Sequence, residues 1–307
     1  MPNNIYTDLA MEARELHPEL LGVVEEKDER PGITISRIKV ETEEAAKEIG
    51  KQIGTYVTLD APDLLCRPLD LFEELSKALS DELKAMLKDL KKDATVLVVG
   101  LGNRSITPDS LGPAVAELVY VTRHITEFLP DALPGPVRSV CSAAPGVLGV
   151  TGIETMEVVR GITEHVKPDL IIAIDSLASR RAARISTTLQ ITDAGISPGS
   201  GVGNTRAGLN KDTFGVPVIA IGVPLVVYAS TISQDTISLI ADETGLHRDE
   251  ERLKELAEKV ISEKIGTLIV TPKDIDTIVK DMSRILADGI NLALFDASYD
   301  EIRMLVA

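Results

Sequence analysis

Two uninterrupted apolar runs, "TVLVVG" at residues 95–100 and "LIIAID" at residues 170–175, constrain the fold more than anything else in this chain. A strand that is apolar at every position must be covered on both faces, which is the situation of an inner strand in a parallel sheet with helices on either side. The neighbouring segments keep that rhythm. "SLGPAVAELVYVTRHITEFL" reads as helical, "VRSVCSAA" as a strand, "TMEVVRGITEHV" as a helix, and "ISTTLQITD" and "VPVIAIGVP" as further strands. The alternation predicts an α/β fold with a mainly parallel central sheet flanked by helices.

Upstream, "ITISRIKV" alternates like a half-buried strand, "TEEAAKEIGKQIG" has helical spacing with a glycine stop, and "TYVTLD" reads as a strand closed by Asp60-Ala61-Pro62. "LDLFEELSKALSDELKAMLKDLKK", residues 69–92, carries leucines three and four apart and predicts one amphipathic helix. The last third is mostly helical, through "EERLKELAEKVISEKI" and "PKDIDTIVKDMSRILADGINLAL". Residues 1–30 are polar and charged without a sustained apolar period, and read as an N-terminal arm ahead of a single domain over residues 31–307.

Charge and residue usage remove several functions. A formal charge of −16 argues against a nucleic-acid binder, which needs a basic face to neutralise phosphates, and 3% aromatics without tryptophan leave few platforms for stacking bases. No apolar run approaches the roughly 20 residues that span a bilayer. Cys66 and Cys141 stand far apart with no Cys-x-x-Cys, and no secretory segment opens the chain, so the expectation is a reduced, cytoplasmic protein. The histidines His17, His124, His165 and His247 lack ligand spacing, so no metal site is expected. There is no Gly-x-Ser-x-Gly elbow and no evident histidine partner for Cys141, which reads as a small buried residue.

In an α/β sheet, reacting groups gather beyond the carboxyl ends of the strands. Asp109 lies past "VLVVG" at the head of a helix, and Asp175 ends "LIIAID". Each has an ordinary explanation, Asp109 as a helix cap and Asp175 as a bond to the turn after its strand. Together in one cleft they suit acid–base hydrolysis: repulsion raises one pKa, so one group activates water while its protonated neighbour polarises a carbonyl. "SLASRRAAR" after Asp175 offers arginines to lower its pKa or to dock acidic groups, or else forms a solvated basic face. The loop "GISPGSGVGN" fits neither Gly-x-Gly-x-x-Gly nor a Walker loop, and Gly199, Gly201 and Gly203 are candidates for lining a substrate cleft against an extended peptide.

The stretches "VLVVGLGNRSITPDSLGP", "SAAPGVLGVTGIETMEVVRGI", "KPDLIIAIDSLASR", "QITDAGISPGSGVGN", "GVPVIAIGVPLVV" and "VTPKDID", with "TDLAMEA" near the start, resemble the germination protease family of spore-forming bacteria over most of the chain. The resemblance implies an atypical aspartic endopeptidase, free of cofactors, with a fold akin to hydrogenase maturation proteases and catalytic aspartates at Asp109 and Asp175. It also implies a tetramer in the forespore that degrades small acid-soluble spore proteins and is made as a zymogen that trims its own N-terminus. Substrates of the family are cut after the first acidic residue of a Thr-Glu-Phe/Ile-Ala-Ser-Glu segment. "TDLAME", residues 7–12, has that arrangement, so self-processing would sever Asp8 from Leu9.

Two other readings stand beside this one. "VVGLGN" with an acidic loop and a later "AID" also fits a metal-dependent endopeptidase of the hydrogenase-maturation type, for which His247 is a poor third ligand. The glycine loops alone fit a non-enzymatic peptide-binding module, which would bind without turnover.

Overall fold

The computed structural model describes residues 7–133, 135–196, 208–245, 250–261, 263, 268–296 and 299–306. In chain order the first elements are α1 (Ala10–Leu16), β1 (Val23–Arg30), β2 (Ile33–Val40), α2 (Glu43–Ile49), β3 (Gly54–Asp60) and α3 (Leu69–Met86). Then come β4 (Thr95–Gly100), α4 (Leu111–Leu118), α5 (Arg123–Phe128), β5 (Ser139–Ala143), α6 (Leu148–Thr151), α7 (Thr155–Val166), β6 (Leu170–Ser179) and β7 (Thr188–Thr192). The chain closes with α8 (Lys211–Phe214), β8 (Val218–Tyr228), α9 (Ala229–Thr244), α10 (Glu250–Val260), β9 (Ile269–Val270), α11 (Ile275–Phe295) and α12 (Tyr299–Val306).

The strands form one sheet in the order β1-β2-β3-β7-β8-β6-β4-β5, with β9 paired to the end of β8. The expected parallel core is the run β5-β4-β6-β8. From β8 onward through β7, β3, β2 and β1 every pairing is antiparallel, so the sheet as a whole is mixed. The apolar runs fall where both faces are covered: β4 and the first six residues of β6 are buried almost throughout.

Helices α3, α4 and α11 cover one face, with Leu75, Leu79, Val115, Leu286 and Ile290 packed in a common core with Val57, Val98, Ile172 and Ile221. Gly289 of α11 lets Leu79 approach closely, since a Cβ there would lie 2.6 Å from Leu79 Cδ2. On the other face two smaller clusters form. One joins α1 and α2 to Ile38, Val40 and Tyr56, and the other joins Met156 and Val159 of α7 to Leu97, Val99, Ile171 and Ala173. Residues paired across strands share a face, and the row Gln190, Gly222, Asp175 crosses β7, β8 and β6 between these two clusters. That gap is where the site lies.

The segment expected as an arm is part of the fold. Val23–Arg30 pairs with Ile33–Val40 along its whole length, and Leu9, Ala10 and Ala13 are buried. β1 showed no apolar period because it is the outer edge strand, where only Val23 is buried and charges such as Glu25, Lys27 and Glu29 discourage pairing with another chain. Among the described residues no helix is long and apolar enough to cross a membrane.

Candidate active site

The loop from β4 to α4 is folded tightly onto β6. Leu101 N donates to Ile174 O at 2.8 Å, and Gly112 presses against the same point, where a Cβ would meet Leu101 O at 2.2 Å and Ile174 O at 2.6 Å. Gly102 has φ +113°, and a Cβ on it would lie 2.1 Å from Asp109 O. Within this turn Asn103 N donates to both the backbone oxygen and Oδ2 of Asp109, each at 2.9 Å. Asp109 therefore does not cap α4, whose N-cap residue is Ser110. Its carboxylate is held by the loop, and its charge acts on Asp175 of the neighbouring strand β6.

Asp175 lies inside β6, which runs on to Ser179, so it is not a turn residue either. It is 8% exposed, its Cα partner is Gly222, and its Oδ1 accepts from Ser176 N at 2.9 Å. Burial pushes the Asp175 carboxyl well above the usual carboxylate range, the Asp109 and Asp8 charges push it further, and only the Ser176 N–H opposes them. Burial also raises Asp109, against the Asn103 N–H that favours its ionised form. Both carboxyls are thus pushed above the usual carboxylate range, Asp175 the more strongly, and Asp109's charge is one cause of the Asp175 shift.

The N-terminal segment reaches this pair. Asp8 N donates to Ala178 O at 3.1 Å, and Ala178 N donates to Asp8 Oδ2 at 2.8 Å, which docks Asp8 on the end of β6. Leu9 is fully buried. Thr7 and Asp8 form part of the wall of a groove of about 420 Å³, together with Lys51, Tyr56, Gln190 and Gly222. The arginines after Asp175 dock acids of α1. Glu12, fully buried, accepts from Arg180 N at 2.7 Å and Arg181 N at 2.9 Å, pairs with Arg184 at 3.1 Å and bonds the Thr7 hydroxyl. Glu15 pairs with Arg181 and Arg184.

Gly199, Gly201, Gly203 and His247 lie outside the described residues. Cys141 is half-buried, and burial raises its thiol pKa. Among the described residues no group of three or more His, Cys, Asp or Glu side chains is arranged to hold a metal ion. Lys51 and Gln190 carried no sequence signal; they are polar residues in "EIGKQIG" and in a strand, and only the fold brings them to the groove.

A family profile described as germination protease matches residues 3–252 and 244–304. The chain belongs to the germination protease family. It is 48% identical over 305 residues to the germination protease of Caldanaerobacter subterraneus subsp. tengcongensis, covering 94% of each chain. It is 44% identical to that of Clostridium acetobutylicum, covering 95% of each, and 39% identical to that of Bacillus subtilis, covering 95% of this chain and 94% of the relative. Among solved structures it is similar to a nickel–iron hydrogenase maturation protease from Thermococcus kodakarensis, with TM-score 0.33 and 15% identity over 67% of this chain and 98% of that one. By family, the chain is a peptide-bond hydrolase.

The glycine packing around the Asp109 loop gives a direct expectation. Gly112→Ala meets only backbone atoms, which cannot swing aside, so it is expected to destabilise the protein by about 1–3 kcal/mol and to pull the Asp109 loop off β6. Gly149→Ala in α6, with nothing within 4 Å of the new Cβ, is the control and is expected to melt close to the parent. Thermal melting of the two variants checks this.

Proposed function

We propose that this germination protease is an aspartic-type endopeptidase that degrades small acid-soluble spore proteins in the germinating spore, is made as a zymogen, and removes its own leader by cutting between Asp8 and Leu9. The observation that carries the reading is the pairing of Asp109 with the buried Asp175, whose proton affinity rises through burial and through Asp109's charge. In such a pair the ionised Asp109 takes a proton from water as the water oxygen bonds to the scissile carbonyl carbon and the carbonyl electron pair moves onto its oxygen. Asp175 then gives its proton to the leaving nitrogen as the C–N bond breaks, its electron pair going to nitrogen, and the oxyanion re-forms the carbonyl. Transfer of the proton from Asp109 back to Asp175 resets the pair.

The zymogen reading is supported by the docking of Asp8 on Ala178 of β6, the strand that carries Asp175, and by the burial of Leu9. A homotetramer belongs to the same proposal, supported by large apolar side chains left exposed on α9 and α10, among them Leu239, Ile240, Leu253 and Leu256.

The test is to incubate the full chain and its Asp109→Asn and Asp175→Asn variants with a small acid-soluble spore protein, with and without chelator, and to read product masses. Loss of residues 1–8 followed by substrate cleavage after the acidic residue of its Thr-Glu segment, indifferent to chelator and absent in both variants, is expected. Cleavage by either variant at the parental rate would sink the carboxylate pair. Activity abolished by chelator and restored by nickel would move the assignment to a metal-dependent endopeptidase.

A further inference from the structure

Lys51 and Gln190 address one peptide bond from both sides. Lys51 Nζ donates to Thr7 O at 2.8 Å and to Asp8 O at 2.9 Å. Gln190 Nε2 donates to Asp8 O at 3.0 Å, while its Oε1 accepts from Ala10 N at 2.6 Å. All four bonds go to main-chain atoms flanking the Asp8–Leu9 link, so they grip any extended backbone in the groove without reading its side chains. The carbonyl of Asp8 receives two donors, one of them cationic, at the 2.7–3.1 Å expected of groups that stabilise a developing oxyanion.

Both donors are fixed by the fold. Gly50, in the left-handed region at φ +68°, ends α2, and Lys51 N donates back to Ala46 O at 3.1 Å, which sets the direction in which the lysine leaves the helix. Gln190 is 6% exposed and is pinned in β7 between Thr58 of β3 and Gly222 of β8, on the sheet face that also carries Asp175. Burial lowers the Lys51 pKa while the Asp8 and Glu12 charges oppose that shift.

We infer that Lys51 and Gln190 are the oxyanion-binding residues of this protease: they hold the carbonyl oxygen of the residue preceding the cut bond, the position that Asp8 occupies in the leader. The inference rests on the reading that the leader is cut between Asp8 and Leu9. In the step above, the negative charge that arrives on the carbonyl oxygen as water adds is matched by the Lys51 ammonium and the Gln190 amide. The Asp175 proton is thereby left for the leaving nitrogen.

The test follows self-processing of the full chain by mass over time, for the parent, Lys51→Met, Lys51→Arg and Gln190→Leu, with thermal melting of each. Release of residues 1–8 is expected to slow by about 10²–10³-fold in Lys51→Met and in Gln190→Leu, with Lys51→Arg restoring much of the rate and melting temperatures near the parent's. Parental cutting at Asp8–Leu9 with Lys51→Met and Gln190→Leu equally fast or faster would overturn the inference while leaving the aspartate pair intact, because the two residues would then only tie the leader down. If Lys51→Met melts low, Gln190→Leu alone decides between these outcomes. Cutting at another bond by the parent, or none, overturns the leader reading and this inference with it, and the product mass separates that failure from the previous one.

Discussion

The Asp175→Asn chain is expected to process itself and its substrate at least 10²–10⁴-fold more slowly, roughly the range for loss of a positioned general acid, and at neutral pH to be more stable than the parent. The second effect follows from the first residue's own environment. Asp175 binds its proton more tightly in the folded state than in the unfolded one, where a carboxyl titrates near about 3.9. Its contribution is therefore fully present below that value and is lost as pH rises through the raised folded pKa. An asparagine carries no such charge into the site, so the gap in melting temperature between variant and parent should open as pH rises from about 4 and stay open above the folded pKa. Asp109→Asn removes one of the charges that lift Asp175, so in that background the gap should be smaller and should stop widening at a lower pH. Melting curves across pH for the parent and both variants check this. A parent–variant gap independent of pH would mean that Asp175 binds its proton no more tightly in the folded state than in the unfolded one.

The parallel half of the sheet is legible in the sequence because it rests on local pattern. Runs apolar at every position specify strands covered on both faces, whereas the continuation of β6 past Asp175 to Ser179 carries no such run. What escaped depends on partners distant in sequence. Gln190 meets Ala10 across 180 positions, and nothing in "TTLQITD" distinguishes a strand glutamine that grips a backbone from one that simply faces solvent. β1 and α1 read as an arm in the sequence because an edge strand buries almost nothing and a seven-residue helix is too short to establish a period. The helix predicted over residues 110–129 is two helices. Thr122 breaks it by donating to Arg138 O and accepting from Val140 N, bonds to the β5 region that a sequence reading cannot see. The helix predicted to residue 92 stops at Met86, where the chain turns to enter β4. The arginines after Asp175 have three possible roles in the sequence, and their pairing with Glu12 and Glu15 decides for docking acidic groups.

Glu12→Ala is expected to cost about 3–5 kcal/mol, a large share of a protein's net stability, because it strips a buried cation and two main-chain donors of their common acceptor. Arg184 is 8% exposed, and Glu12 is its fully buried partner, so water does not replace the lost carboxylate. The N–H groups of Arg180 and Arg181 lose their acceptor at the same time. Glu15 also pairs with Arg184, which places the expected loss toward the lower end of the range. Denaturant unfolding should show it as a lower midpoint, and adding Arg184→Met should recover part of the loss, since the unpaired guanidinium is then gone. Amide exchange over residues 8–16 should quicken more than elsewhere, because Glu12 is what ties α1 to the turn after β6. A double variant no more stable than Glu12→Ala, with exchange unchanged in α1, would show that the segment is held by Leu9, Ala10 and Ala13 packing alone. The distinction bears on the site itself: Glu12 lies four residues past Asp8, so the anchor that fixes α1 also fixes where the Asp8 carbonyl meets Lys51 and Gln190.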